Sequence, residues 1–137
     1  MKRTATAHWQ GSGKDGKGNL STQSEVLSQS PYSYVTRFEN EKGTNPEELV
    51  AAAHAGCFTM KLSFLLSGAG FIPDELHTQC EITLEDGSIT QSHLTLTAKV
   101  KGIEKQNFDD LVKNAKANCP ISKLLNTNII LDYTLDS

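Results

Sequence analysis

The longest regular pattern in this chain is NPEELVAAAHAGCFTMKLSFLLS, residues 45–67. Its first residues predict a helix start. Asn45 is the expected cap, Pro46 fits the first helical position, and Glu48 completes a capping box. The helix is expected to end at about Ser67, because glycines follow. Lys61 is the only charge within it beyond Leu49, and a helix that is apolar on every face is typically buried on all sides. We therefore expect a central, buried helix.

The segments around this helix predict strands and two further helices. Residues 1–38 are predicted to form strands and turns, with an alternating strand at Tyr32–Phe38, and a hairpin is predicted after the helix, with strands at Leu76–Leu84 and Leu94–Val100. A helix over 107–118, a short helix from Pro120 to Leu125 and a closing strand at Ile129–Leu135 are predicted to follow. The order βββ-α-ββ-α-α-β is not a strict βαβ alternation, so we predict an α+β fold with antiparallel sheets wrapped around the central helix. The length of 137 residues predicts a single domain, 1–137.

Composition and charge exclude several classes of protein. A net charge of −3 without a basic patch argues against nucleic-acid binding. No membrane span is expected, because Lys61 interrupts the only long apolar stretch. The first residues lack the apolar core of a signal peptide, and three cysteines, an odd number, favour a reducing compartment, so we expect a cytoplasmic protein. The hydrophobic content of 37% is below the globular average, which suits a fold completed by a second subunit.

Cys57 lies within the apolar helix, in a setting that suits a reactive thiol. Free cysteine is most often a small buried hydrophobe, and that interpretation stands as the alternative. Against it, small residues flank Cys57 and leave room beside the sulfur, and His54 lies on the same helical face three residues earlier. Burial raises the pKa of a thiol, so a reactive thiolate needs a nearby cation.

Arg37 is the best candidate for that cation, because it lies on a predicted strand ahead of the helix; the alternative is an exposed arginine with a solvated head group. Lys61 is a second candidate, although a lysine there more often extends to solvent. Glu47 lacks a capping role and is free to orient an arginine through a bidentate pair. Ten residues of helix separate Glu47 from Cys57 by about 15 Å. If both serve one site, Glu47 would come from the same helix of a second subunit, which predicts a symmetric dimer with sites at its interface.

Cys119 lies directly before Pro120, where one predicted helix stops and another begins. This position places its sulfur at a helix cap, where backbone donors and the helix dipole favour a thiolate. The alternative is a core thiol that continues the apolar stripe of the preceding helix. Cys80 lies on the inward face of a strand, and its predicted role is structural. The four histidines show no metal-ligand spacing with the cysteines, so no metal site is predicted.

Four runs of the chain combine these residues: TRFE at 36–39, EKGTNPEEL at 41–49, AAHAGCF at 52–58 and NCPIS at 118–122. Together they resemble the OsmC family, the osmotically inducible relatives of the organic hydroperoxide resistance proteins. The resemblance extends from Ala7 to Tyr133, nearly the whole chain. Within the wider family, the chain resembles the OsmC branch more, because an arginine lies in the TRFE run and a histidine precedes the cysteine motif.

The resemblance implies a thiol peroxidase that reduces organic hydroperoxides, and hydrogen peroxide more slowly, in oxidative and osmotic stress defence. By matching position, Cys57 would be the peroxidatic cysteine, Cys119 the resolving cysteine, and Arg37 and Glu47 the charged pair that activates the first thiol. It also implies an intertwined α+β homodimer and an external dithiol reductant, without metal or other cofactor. A non-enzymatic thiol redox sensor is the alternative, and a small dimeric binding protein with structural cysteines is a third.

Overall fold

The computed structural model describes residues 1–137. In chain order, the elements are β1 (Ala5–Gln10), β2 (Lys17–Thr22), β3 (Ser30–Tyr32), α1 (Tyr34–Phe38), α2 (Pro46–Gly68), β4 (Glu75–Glu85), β5 (Ser88–Lys99), α3 (Lys105–Asn118), α4 (Pro120–Leu124) and β6 (Asn128–Asp136). This order confirms the predicted α+β class. The chain divides into two compact units, Met1–Leu49 and Val50–Ser137.

The first unit contains an antiparallel sheet of β1, β2 and β3, followed by the short helix α1. The prediction of a strand over Tyr32–Phe38 is wrong, because β3 ends at the first of these residues and the last five are helical. Ser33 caps α1 and forms a capping box with Thr36, whose hydroxyl accepts from the Ser33 N–H at 2.7 Å. This box satisfies backbone N–H groups locally and overrides the strand propensity of the alternating aromatic residues. Arg37 therefore lies on a helix.

The second unit contains a mixed sheet in the order β4-β5-β6. β4 and β5 form the predicted antiparallel hairpin, and its two turn residues, Asp86 and Gly87, have φ of 49° and 78°, as a two-residue hairpin turn requires. β6 pairs with β5 in parallel, so the expectation of purely antiparallel sheets is wrong for this pair. α3 and α4 connect the two strands and return the chain to the end where β5 begins, the crossover that a parallel pair needs.

α2 supplies one apolar stripe to the core of the second unit. Its core residues lie four apart, at Phe58, Leu62 and Leu66, and have no exposed surface. They join a cluster with the inward residues of β5 and with Phe108 and Val112 of α3. On other faces of α2, Met60 and Phe64 are 64% and 71% exposed. The expectation of a helix buried on all sides is therefore wrong for the single chain, because the core lies along one face of the helix only.

α2 is, by length and composition alone, apolar enough to cross a membrane. The expectation that Lys61 rules out such a span is therefore wrong as a matter of composition. The core helix of a globular fold meets the same criterion, and α2 carries the buried stripe of the second unit. We interpret α2 as that core helix.

Candidate functional site

Cys57 and Cys119 meet at the first turn of α4. Cys119 has no exposed surface and caps α4, where its sulfur accepts the backbone N–H of Ser122 at 3.3 Å. Cys57 is half-buried on α2 and packs against the core cluster that contains Cys119, and its pKa responds to the Cys119 side chain and to the backbone N–H of Ile121. Both cysteines are free thiols. The Cys119 sulfur thus accepts a backbone N–H that a helix start leaves unpaired, as the sequence predicts.

Burial raises the pKa of the Cys57 thiol above its ordinary value. The N–H of Ile121 acts in the opposite direction, because it stabilises a thiolate, and the neighbouring Cys119 raises the pKa further. The positive charge of Lys61 lowers it as well, as the smallest of these contributions. Within the second unit, therefore, the Cys57 thiol is held protonated, and a stronger cation is needed to ionise it.

The predicted charged pair lies in the first unit. Arg37 Nε and Nη2 donate to the two carboxylate oxygens of Glu47 at 2.9 and 3.0 Å, which is the bidentate geometry expected from the sequence. The guanidinium carbon also lies 5.2 Å from the centroid of the Phe38 ring. The Arg37 side chain is 40% exposed, so part of its guanidinium is free to meet another group.

The start of α2 places Glu47 for this pairing. Asn45 Oδ1 accepts the backbone N–H of Glu48 at 2.7 Å, which confirms the predicted cap. The Glu48 carboxylate accepts from the Thr44 hydroxyl at 2.9 Å, in place of the expected bond of a capping box. Glu47 is the carboxylate that turns to the arginine. The four predicted site residues thus form two pairs, one in each unit of the chain.

A buried hydrogen-bond chain, which the sequence analysis does not predict, runs through the second unit. His54 has no exposed surface, and its Nδ1 and Nε2 lie 2.6 Å from Ser92 Oγ and 2.8 Å from Ser122 Oγ. Ser122 Oγ lies 3.1 Å from Cys119 Sγ, and Ser92 Oγ lies 3.2 Å from Cys80 Sγ. The sequence signal for this hydrogen-bond chain is His54 itself, because a polar side chain in a buried helix needs hydrogen-bond partners. Those partners lie 38 and 68 residues away, so local sequence could not identify them.

Burial lowers the pKa of His54, so the imidazole is neutral near neutral pH. Every buried polar side-chain atom of the structure has a hydrogen-bond partner. No group of three or more histidine, cysteine, aspartate or glutamate side chains is arranged to hold a metal ion. The chemistry that this arrangement can carry is thiol chemistry, at two neighbouring sulfurs with a buried chain of hydrogen bonds behind one of them.

Comparison with known proteins places this chain in a family. The family model of OsmC-like proteins matches residues 39–134. The chain is 49% identical to Peroxiredoxin OsmC of Escherichia coli (strain K12), over 100% of this chain and 99% of that protein. It is 34% identical to the Organic hydroperoxide resistance protein OhrA of Bacillus subtilis (strain 168), over 70% of this chain and 68% of that protein.

A solved structure extends the likeness to the fold. The OsmC-like protein from Mycoplasma pneumoniae superimposes with a TM-score of 0.77 over 100% of this chain and 99% of that chain, at 13% sequence identity. At this identity, the comparison supports the shared fold alone.

Proposed function

Because the chain belongs to the OsmC-like protein family, we propose that it is a thiol peroxidase that reduces organic hydroperoxides, and hydrogen peroxide more slowly. The observation that carries the proposal is the proximity of Cys57 to Cys119 at the start of α4: Cys57 packs against the core cluster that contains Cys119, and Cys119 raises the pKa of Cys57. One thiol is half-buried and the other has no exposed surface, which suits a peroxidatic and a resolving role respectively. The names of the relatives, a peroxiredoxin and an organic hydroperoxide resistance protein, agree with this chemistry.

The proposed reaction has three steps. The Cys57 thiolate attacks the distal oxygen of the hydroperoxide, the O–O bond breaks, and the departing alkoxide takes up the proton that the thiol lost on ionisation and leaves as the alcohol. Cys119 then attacks the sulfur of the resulting sulfenic acid, which forms the Cys57–Cys119 disulfide and releases water. An external dithiol reduces the disulfide by thiol exchange and restores both thiols. The cysteines carry all of the redox change, so the cycle requires no metal, haem or flavin.

Arg37 and Glu47 are proposed to supply the cation that Cys57 lacks. The bidentate pair fixes the guanidinium beside Glu47, about 15 Å of helix away from Cys57 of the same chain. We propose that the protein is a homodimer, in which the pair of one subunit lies against Cys57 of the other. The exposed Met60 and Phe64 side chains on α2 support this proposal, because a second subunit would cover them.

Steady-state turnover distinguishes this enzyme from the alternative, a non-enzymatic redox sensor. With excess dithiol, we expect repeated consumption of cumene hydroperoxide and a higher kcat/KM than with hydrogen peroxide, because apolar residues surround Cys57. The measurement is peroxide loss over time with a panel of lipoyl-type and thioredoxin-type dithiols. Consumption that stops after one equivalent per Cys57 with every dithiol would support the sensor.

Cys119→Ser separates the two halves of the reaction. The variant should still form the sulfenic acid on Cys57, because that step needs only the first thiol, but it should form no intramolecular disulfide. Intact-protein mass spectrometry after one equivalent of cumene hydroperoxide, with a sulfenic-acid trap, measures both species. A wild-type protein that forms the Cys57–Cys119 disulfide only after denaturation would contradict the resolving role.

The proposed setting is the cytoplasm, in defence against oxidative and osmotic stress. Free thiols at the site require a reducing compartment to be regenerated, and three unpaired cysteines agree with it.

A further inference from the structure

We propose that His54 is a positioning residue for the resolving step: it receives the proton of Cys119 through the hydroxyl of Ser122 while Cys119 attacks the oxidised Cys57. The inference rests on the proposed function, because it assigns the path of a proton in the second step of that cycle.

The distances along the path are those of direct proton transfer. Cys119 Sγ, Ser122 Oγ and His54 Nε2 are separated by 3.1 Å and 2.8 Å in succession. The distance between Ser122 Oγ and His54 Nε2 is within the reach that a general base needs. All three groups are buried. Cys119 and Ser122 lie in the first turn of α4 and His54 lies on α2, so the packing of these two helices fixes the geometry. Solvent water has no direct access to the Cys119 thiol in the resting structure, so an internal acceptor offers its proton the most direct route.

The hydrogen bonds around the chain allow one set of donors and acceptors that carries a proton from Cys119 to His54. Cys119 Sγ already accepts the Ser122 backbone N–H, so its own S–H is free to donate to Ser122 Oγ. The Ser122 hydroxyl then donates to His54 Nε2. A neutral imidazole has one donor and one acceptor, so Nδ1–H donates to Ser92 Oγ. Ser92 in this way holds the tautomer that leaves Nε2 unprotonated.

The titratable groups that face this histidine are thiols. Cys80 on β4 and Cys119 at the start of α4 are each separated from His54 by one serine, and Cys57 lies one turn along α2. β5 contributes Ser92, which does not titrate in the relevant range. Burial alone lowers the pKa of His54, without a contribution from a charged side chain, so the resting imidazole is neutral and ready to accept a proton.

The resolving step then balances as follows. The Cys119 proton moves to Ser122 Oγ as the Ser122 hydroxyl proton moves to His54 Nε2. The electron pair freed on the Cys119 sulfur forms the S–S bond, and the S–O pair of the sulfenic acid leaves with hydroxide. The imidazolium then returns its proton to Ser122 Oγ as the Ser122 hydroxyl proton passes to the hydroxide, which becomes water. The thiol is oxidised, the sulfenic acid is reduced, and no further reagent enters. Cys80 lies outside this path, beyond Ser92.

The test is a single-turnover measurement of disulfide closure as a function of pH. Reduced protein receives one equivalent of cumene hydroperoxide, is quenched with acid and a sulfenic-acid trap, and is analysed by intact mass spectrometry. His54→Gln, which retains a hydrogen-bonding group but no basic nitrogen, should slow closure by about 10² to 10⁴-fold and leave sulfenic-acid formation unchanged. Its closure rate should rise about tenfold per pH unit, because hydroxide must now remove the proton. Wild-type closure should be nearly independent of pH around neutrality.

Matched variants separate a relay from a structural role. Ser122→Ala should reproduce the slow, pH-dependent closure, and Ser122→Thr, which keeps the hydroxyl, should restore the wild-type profile. His93→Gln changes a histidine that is bonded to Asp132 on the sheet surface and should close at the wild-type rate.

Equal closure rates and pH profiles for wild type, His54→Gln and Ser122→Ala would overturn the inference, with the peroxidase proposal intact. A wild-type closure rate that itself rises tenfold per pH unit would overturn it without any variant, which covers the case in which His54→Gln does not fold. A wild-type protein that forms neither sulfenic acid nor disulfide would overturn the proposed function together with the inference.

Discussion

Replacing Cys57 by serine is expected to abolish catalytic consumption of organic hydroperoxide. A serine hydroxyl is far less acidic and less nucleophilic than a thiol toward peroxide oxygen, so the first bond cannot form at a useful rate. We expect a loss of about 10³-fold or more in kcat/KM for cumene hydroperoxide, measured with saturating dithiol. The change in volume is small and the site is half-buried, so the fold should persist, which circular dichroism checks.

The matched control for this variant is Cys80→Ser. It makes the same exchange of sulfur for oxygen in the same unit, and serine retains a partner for Ser92. We expect wild-type peroxide consumption from it. If Cys57→Ser consumed peroxide at the wild-type rate, the peroxidase proposal would be wrong and a binding protein with structural cysteines would be favoured.

Replacing Arg37 by methionine is expected to produce the second largest effect. Burial raises the pKa of Cys57, and the guanidinium is the proposed charge that offsets it. We expect the second-order rate of peroxide attack near neutral pH to fall by about 10² to 10³-fold and to recover at alkaline pH, where the thiol ionises unaided. Arg37→Lys should be intermediate, because lysine keeps the charge but loses the bidentate pair with Glu47. Arg3→Met, at an exposed arginine, is the control.

Mixing two inactive variants tests whether this arginine acts between subunits. Arg37→Met and Cys57→Ser are each expected to be nearly inactive alone. In a mixed dimer, one site would combine Cys57 of the first variant with Arg37 of the second. After subunit exchange at equal concentrations, we expect about a quarter of the wild-type activity, since half of the dimers carry one intact site. No recovery in a sample shown to contain mixed dimers would mean that the pair acts within its own chain or not at all.

Local sequence patterns predicted the elements whose stability is local. The cap at Asn45 and the hairpin of β4 and β5, which turns at Asp86 and Gly87, depend on neighbouring residues only, and both predictions are confirmed. The failed prediction at Tyr32–Phe38 has the same origin. Two local signals competed there, aromatic alternation and the capping box of Ser33, and the box prevailed because it satisfies backbone donors directly.

Local sequence patterns could not predict the features that depend on distant parts of the chain. The parallel pairing of β6 with β5 follows from a crossover of two helices, which no strand sequence encodes. The all-round apolar character of α2 does not reveal which face its own chain covers, since Met60 and Phe64 are as hydrophobic as the buried Leu62. Which face of a helix is buried depends on the elements that pack against it. The sequence of an apolar helix shows only that any of its faces could be buried.

The candidate site also combines features that local sequence predicts with features that only the folded chain decides. Residue type and spacing, with the family resemblance, led to the prediction of Cys57, Cys119, Arg37 and Glu47 as site residues. The structure confirms the bidentate pairing of Arg37 with Glu47, and the catalytic roles of the four residues stay predictions. The place of His54 behind Cys119 became visible only in the folded chain. Hydrogen bonds to Ser92 and Ser122 join residues 38 and 68 positions apart, and only the packing of α2 against β5 and α4 brings those atoms within 3 Å.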